Sequence, residues 1–358
     1  MYRHAGSPSA SQVLNQCRLV AVAVVALACA VPAAAQRSNL AEKLGELNVR
    51  HVTEHYALAG TVNDARLEEY GRALEWIYGE YAQGFRKLFE EEEKKSKAAS
   101  RKKGQRGRRS TAGSRRSKRA AQKEASDDRK QQKPKAASIL DRGEDERFPV
   151  IVFATGREYR EFGREFIPGG TENSGGMYLG ALGVLLILDR PDADDTYSVL
   201  FHEAFHQFMC RYVKDPPMWL NEGLAVYYEG ARPGRSGIRF INTRKNFWDI
   251  LRKVIPTPEA IPLQRIVTAS RATFYDETPI HVDGYLGVHR KTLYYAEAYT
   301  LVHLLLEHAD GRERVQNYIC DLAKDDGMNT RAITEKYFDK ATCDQLTHSW
   351  IRHVNSRR

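Results

Sequence analysis

Residues 94–137 hold no large apolar side chain and consist almost entirely of Lys, Arg, Ser, Ala, Gly and Gln. A run of that length and composition cannot bury enough surface to offset its chain entropy, so it is expected to be disordered. Whatever folds must therefore be assembled from two separated pieces, residues 36–93 and residues 138–358, with the tract looped out between them. Charge divides the chain in the same way. Residues 94–135 carry 18 Lys or Arg against three acids, a balance of +15, while the whole chain of 358 residues carries +9. The remainder stands at −6, so the basicity belongs to one segment. Such a tract could hold an anionic cell-surface polymer or be a merely solvated insertion. No aromatic residue is interleaved for base stacking, which argues against nucleic acid.

The N-terminus reads as an export signal. Residues 19–31, LVAVAVVALACAV, form a short apolar run behind Arg3 and Arg18, and AAA at 33–35 suits a signal peptidase. The expected signal is 1–35, with cleavage after Ala35, giving a periplasmic, cell-surface or secreted protein. The run is short for a membrane span and is followed by Pro32. Cys17 and Cys29 would leave with the signal. Cys210, Cys320 and Cys343 remain, and an oxidising compartment permits a Cys320–Cys343 bridge, leaving Cys210 as a buried thiol.

Residues 49–60 suggest a strand ending in a turn. Leu67, Tyr70, Leu74, Ile77, Tyr81, Phe85 and Leu88 then recur at helical spacing. RFPVIVFAT at 147–155 reads as a buried strand, GREYREFGREF as a helix, and GGMYLGALGVLLILDR at 175–190 as a hairpin. Asp194, Asp195 and Thr196 supply N-cap chemistry for the helix that follows. Beyond Tyr228 the chain reads as mostly helical, around a long loop at 254–290. The expected class is α+β: a mostly antiparallel sheet packed on the helix after residue 194, followed by a helical lobe.

That helix carries the chemistry. SVLFHEAFHQF, residues 198–208, places His202 and His206 four apart on one helical face, where two imidazoles can reach one ion. Glu203 lies roughly 100° further round, beside the position left open for water. Catalytic zinc needs a third protein ligand, and Glu222 follows in PPMWLNEGLAVYYEG. Pro216 and Pro217 break the chain, so a second helix can return alongside the first and face Glu222 toward the histidines. Zinc in such a site lowers the pKa of water towards about 7, and Glu203 would accept its proton and pass it to a leaving amine. The apolar strand 184–189 could align an extended peptide by edge pairing.

HEAFH followed by WLNEGLAVYYE resembles the gluzincin metallopeptidases, and WLNEGLA in particular resembles the aminopeptidase N branch. The resemblance implies His202, His206 and Glu222 as zinc ligands and Glu203 as general base. LYYAEAYTLVHLL, residues 293–305, resembles the later helix of that branch, which opens on a catalytic tyrosine; Tyr295 falls on it. The Gly-Ala/Met-Glu-Asn motif that grips a free amino terminus is absent, and its place reads GGMYLGALG. The whole layout is similar to an uncharacterised group of exported bacterial proteins, the domain of unknown function 1570. The expectation is therefore an exported zinc metallopeptidase acting on peptides or proteins.

Other residues carry weaker signals. His51 and His55 alternate as structural strand residues would. His281 and His289 precede Tyr295 and could bind substrate. Tyr294 is the rival to Tyr295, one position earlier. Glu229, two turns past Glu222, could orient a ligand histidine. Two other functions fit the same sequence: a zinc-containing binding or structural domain without peptidase activity, and a surface protein that uses the basic tract to bind anionic polymers.

Overall fold

The computed structural model describes residue 42 and residues 47–90, 147–167, 171, 174–241, 244–325 and 327–357. The expected signal at 1–35 and the basic tract at 94–137 lie outside these residues. The described chain is a mixed α/β structure with a sheet at one side and a helical lobe at the other.

The sheet has five strands in the order β1-β2-β3-β5-β4. These are β1 (His51–Val52), β2 (Tyr56–Gly60), β3 (Phe148–Phe153), β4 (Gly176–Leu179) and β5 (Val184–Leu188). The β1/β2 and β4/β5 pairs are antiparallel, while β2/β3 and β3/β5 are parallel. The expectation of a mostly antiparallel sheet is corrected to a mixed one. The reason is connectivity. Helix α1 (Asp64–Gly84) intervenes between β2 and β3, and α2 (Gly156–Phe166) between β3 and β5. Crossovers of that kind return the chain in the same direction.

The two central strands, FPVIVF and VLLIL, are apolar throughout because both of their faces are covered. Val150, Val152, Leu185 and Ile187 face the main core, with Leu67, Tyr70, Leu74, Ile77, Tyr81, Phe85 and Leu88 from the α1 region. Ile151, Phe153 and Leu186 face the other way, onto Tyr159, Phe162 and Ile167 from the α2 region. Helix α2 opens on a capping box between Thr155 and Glu158.

Helix α3 (Ala193–Tyr212) carries the two histidines. Its N-cap is Asp192, whose side chain accepts from the Asp194 amide; Asp194 and Asp195 lie in the first turn. The helix thus starts slightly before the expected cap. Helix α4 (Met218–Tyr228) returns along it, followed by the ribbon β6 (Ala231–Pro233) and β7 (Ile238–Phe240). The lobe then runs through α5 (Lys245–Val254), α6 (Leu263–Val267), α7 (Arg271–Phe274), α8 (Arg290–Glu307), α9 (Ala309–Lys324), α10 (Thr330–Tyr337) and α11 (Lys340–Ser356). The stretch read as a loop at 254–290 contains α6 and α7, both too short for sequence periodicity to show.

Helices α4 and α8 meet at Gly223. A Cβ there would lie 2.7 Å from the Ala298 carbonyl oxygen, so only glycine permits this approach. Ala298 is one turn beyond Tyr295, and the close contact is what carries Tyr295 up to Glu222.

No disulfide forms among the described residues. Cys320 and Cys343 are buried thiols, and the Cys343 thiol donates to the Phe338 carbonyl at 3.5 Å, so the expected bridge is corrected. Cys210 is exposed, not buried. Among the described residues no helix is long and apolar enough to cross a membrane.

Candidate metal centre

Polar groups are buried in α3 and α4 where apolar ones would be cheaper. His202, Glu203 and His206 are 4%, 1% and 5% exposed, and Glu222 on α4 is 3% exposed. Enclosing four ionisable groups is costly unless they are paired or hold an ion.

Their geometry shows what such an ion would meet. His202 Nε2 and His206 Nε2 face one another at 3.0 Å. Glu222 Oε2 lies 3.7 Å from the first and 3.6 Å from the second. This buried carboxylate oxygen has no hydrogen-bond partner. Ligands at a zinc distance of about 2.0–2.1 Å in a tetrahedron sit about 3.4 Å apart, and the three observed separations bracket that value. Two imidazole nitrogens and one carboxylate oxygen are also the donor set that suits a borderline divalent cation. The residues present fit a metal ion.

The far sides of the ligands are held. His202 Nδ1 donates to Glu229 Oε1 at 2.7 Å, which leaves Nε2 directed at the centre. Burial works against charge on Glu229, but Arg244 and His202 outweigh it and keep its pKa below the usual range. Arg244 Nε donates to Glu229 Oε2 at 2.7 Å. His206 Nδ1 lies 3.1 Å from Asn221 Oδ1. Glu222 Oε1 accepts from the Tyr275 hydroxyl at 2.7 Å.

Glu203 points elsewhere, as its position round the helix requires. Its Oε2 accepts from the Tyr178 amide of β4 at 2.9 Å. Burial raises its pKa, partly offset by His202 and His206. Burial disfavours charge on His202, but the bond to Glu229 and the charges of Glu229, Glu203 and Glu222 prevail and raise its pKa to about 9.

Tyr295 is 5% exposed and stands beside Tyr275 and Glu222; burial first, then the Glu222 charge, raise its pKa well above the ordinary value. Tyr294, its rival, packs on Phe274 and lies near the charges of Arg265 and Glu297 instead. Glu229 takes the orienting position expected of it. His55 binds Glu75 and stacks on Tyr78, and the His51 ring sits against Gly71. His281 is exposed on Asp283, and His289 caps α8. The strand at 184–189 is corrected as a docking edge. β5 is paired on both sides, and the sheet ends on β4.

Three contributors escaped the sequence reading. Asn221 was legible as the neighbour of Glu222. Tyr275 and the Tyr178 amide gave no signal, because a phenol in a loop and a backbone N–H are functional only through where the fold puts them. Comparison with known proteins finds no family model that matches this chain and no curated protein that matches it.

Proposed function

We propose that this chain is a zinc-dependent metallopeptidase that hydrolyses peptide bonds, with His202, His206 and Glu222 as ligands and Glu203 as general base. The observation that carries the reading is the orphaned Glu222 Oε2 converging with two ligand-ready imidazoles. Zinc would supply a Lewis acid that polarises a carbonyl and acidifies water. The chain's own residues would do the rest. Glu203, its pKa raised by burial, takes the proton of the attacking water and passes it to the leaving amine. The Tyr178 amide holds that carboxylate in place beforehand. Tyr295 donates from its hydroxyl to the oxyanion of the tetrahedral intermediate. An extended substrate adds along the outer edge of β4, where the Tyr178 amide lies at Glu203. Export through residues 1–35 would place this activity outside the cytoplasm, and residues 94–137 would hold the enzyme to an anionic surface polymer.

Burial of all four central groups favours a second reading, a zinc-containing binding or structural domain without turnover. Digestion of a peptide library by wild type and Glu203→Gln, with zinc content measured on both, separates the two. The peptidase reading expects cleavage by wild type only, with equal zinc. Zinc with no cleavage by either protein supports the second reading.

A further inference from the structure

A second group of ligating side chains lies in the helical lobe. His303 and Glu307 are four apart on α8 and share a face. His353 on α11 packs against both, and one donor atom from each of the three falls within 4.8 Å of the others. His303 Nδ1 is 3.2 Å from His353 Nε2. Glu307 Oε1 lies 3.8 Å from His303 Nδ1, and its Oε2 lies 3.4 Å from His353 Nδ1. One donor atom from each residue lies within 4.8 Å of the other two, so small side-chain rotations bring the three to the spacing of about 3.4 Å that a tetrahedral zinc requires.

The surroundings differ from the first centre. Trp248 forms a wall, its ring 5.3 Å from that of His303 and 5.4 Å from that of His353. The mouth is open to solvent, with the Glu307 side chain 34% exposed. A cation already occupies part of it, since the Arg357 guanidinium is ion-paired with Glu307. Arg357 is itself 38% exposed, so moving it to water costs little. Glu307 is thus already paired with a cation, and the group offers two imidazoles and a carboxylate that an ion can reach.

We propose that His303, Glu307 and His353 form a second divalent-cation site of the zinc class, a clip that ties the C-terminal helix α11 to α8. It does not rest on the peptidase reading. Tyr295 stands two turns before His303 on α8, so the clip would brace the helix that reaches Glu222.

The test counts metal on the full chain. Chelator-stripped protein is dialysed against Zn²⁺, and bound zinc is measured. Two equivalents are expected in wild type. His202→Ala/His206→Ala should lose one equivalent and keep the other. His303→Gln and Glu307→Gln should each weaken the second by at least about tenfold while keeping the first. Glu307→Gln is the safer variant for folding, because its side chain is partly exposed. Arg357→Ala should tighten the second site by freeing Glu307, which a purely hydrogen-bonded cluster would not do. Cu²⁺ should quench Trp248 fluorescence in wild type and in His202→Ala/His206→Ala, but not in His303→Gln. A single zinc equivalent, lost in His202→Ala/His206→Ala and untouched by Glu307→Gln and Arg357→Ala, would overturn the proposal. Failure of the first centre instead shows as loss of the equivalent that Glu307→Gln spares.

Discussion

Glu229 Oε1 lies 2.7 Å from His202 Nδ1, with both side chains buried and Arg244 on the other carboxylate oxygen. The carboxylate stands at the C-terminal end of α4, two turns past Glu222, so one helix supplies both a candidate ligand and the group that aims another. Orienting partners of this kind typically contribute 10–100-fold to metal affinity. Glu229→Gln is therefore expected to weaken zinc binding by about that factor while leaving the fold intact. Chelator competition checks it, and an unchanged affinity would remove Glu229 from the role.

The two tyrosines at Glu222 should separate in their effects. Tyr295→Phe is expected to lower kcat by about 10²–10³ with KM little changed, as loss of one oxyanion donor does. Tyr275→Phe should instead weaken zinc binding, because the Tyr275 hydroxyl holds Glu222 Oε1 at 2.7 Å. Steady-state kinetics and metal affinity on both variants decide the matter. If the two phenotypes come out exchanged, the assignment of the oxyanion donor moves to Tyr275.

Zinc binding should be coupled to protons. In the metal-free protein the His202 pKa is raised to about 9, so at neutral pH the imidazole carries a proton that a metal must displace. Affinity should rise about tenfold per pH unit from 6 to 8 and level off above 9. Calorimetry at pH 7 in buffers of different ionisation enthalpy should report about one proton released per metal at the first centre. In Glu229→Gln the release should shrink, since the largest contribution raising that pKa has been removed. Finding no proton release in wild type would show that His202 is already neutral.

Gly223→Ala should destabilise the whole lobe. The added methyl would meet the Ala298 carbonyl at 2.7 Å, and α8 would have to move. Overpacking of this kind costs about 1–3 kcal/mol. Thermal unfolding should show the lowered Tm, and at temperatures where the variant remains folded its turnover should fall too, because Tyr295 moves with α8. A variant as stable and active as wild type would mean that α4 and α8 are less tightly packed than described.

What the sequence determined alone is what depends on local spacing. Helical periodicity set the buried face of α1 from Leu67 to Tyr81, because side chains three and four apart share a face whatever lies opposite. The same rule brought His202 and His206 together and set Glu203 to one side. The break at Pro216 and Pro217 made the return of α4, and with it the place of Glu222, legible. Tertiary structure decided everything that depends on which segments meet. Whether strands pair parallel or antiparallel follows from the crossovers through α1 and α2, so the sheet came out mixed, with β1 and β4 as its outer strands. Tyr275 reaches Glu222 from a loop more than fifty residues away, and the Tyr178 amide reaches Glu203 from the sheet edge; neither carries a local pattern. Cys320 and Cys343 could be paired on paper from compartment alone, but in the fold both stay thiols. His303 and His353 lie fifty residues apart with no motif joining them, and only the packing of α11 on α8 brings His303 Nδ1 and His353 Nε2 to 3.2 Å.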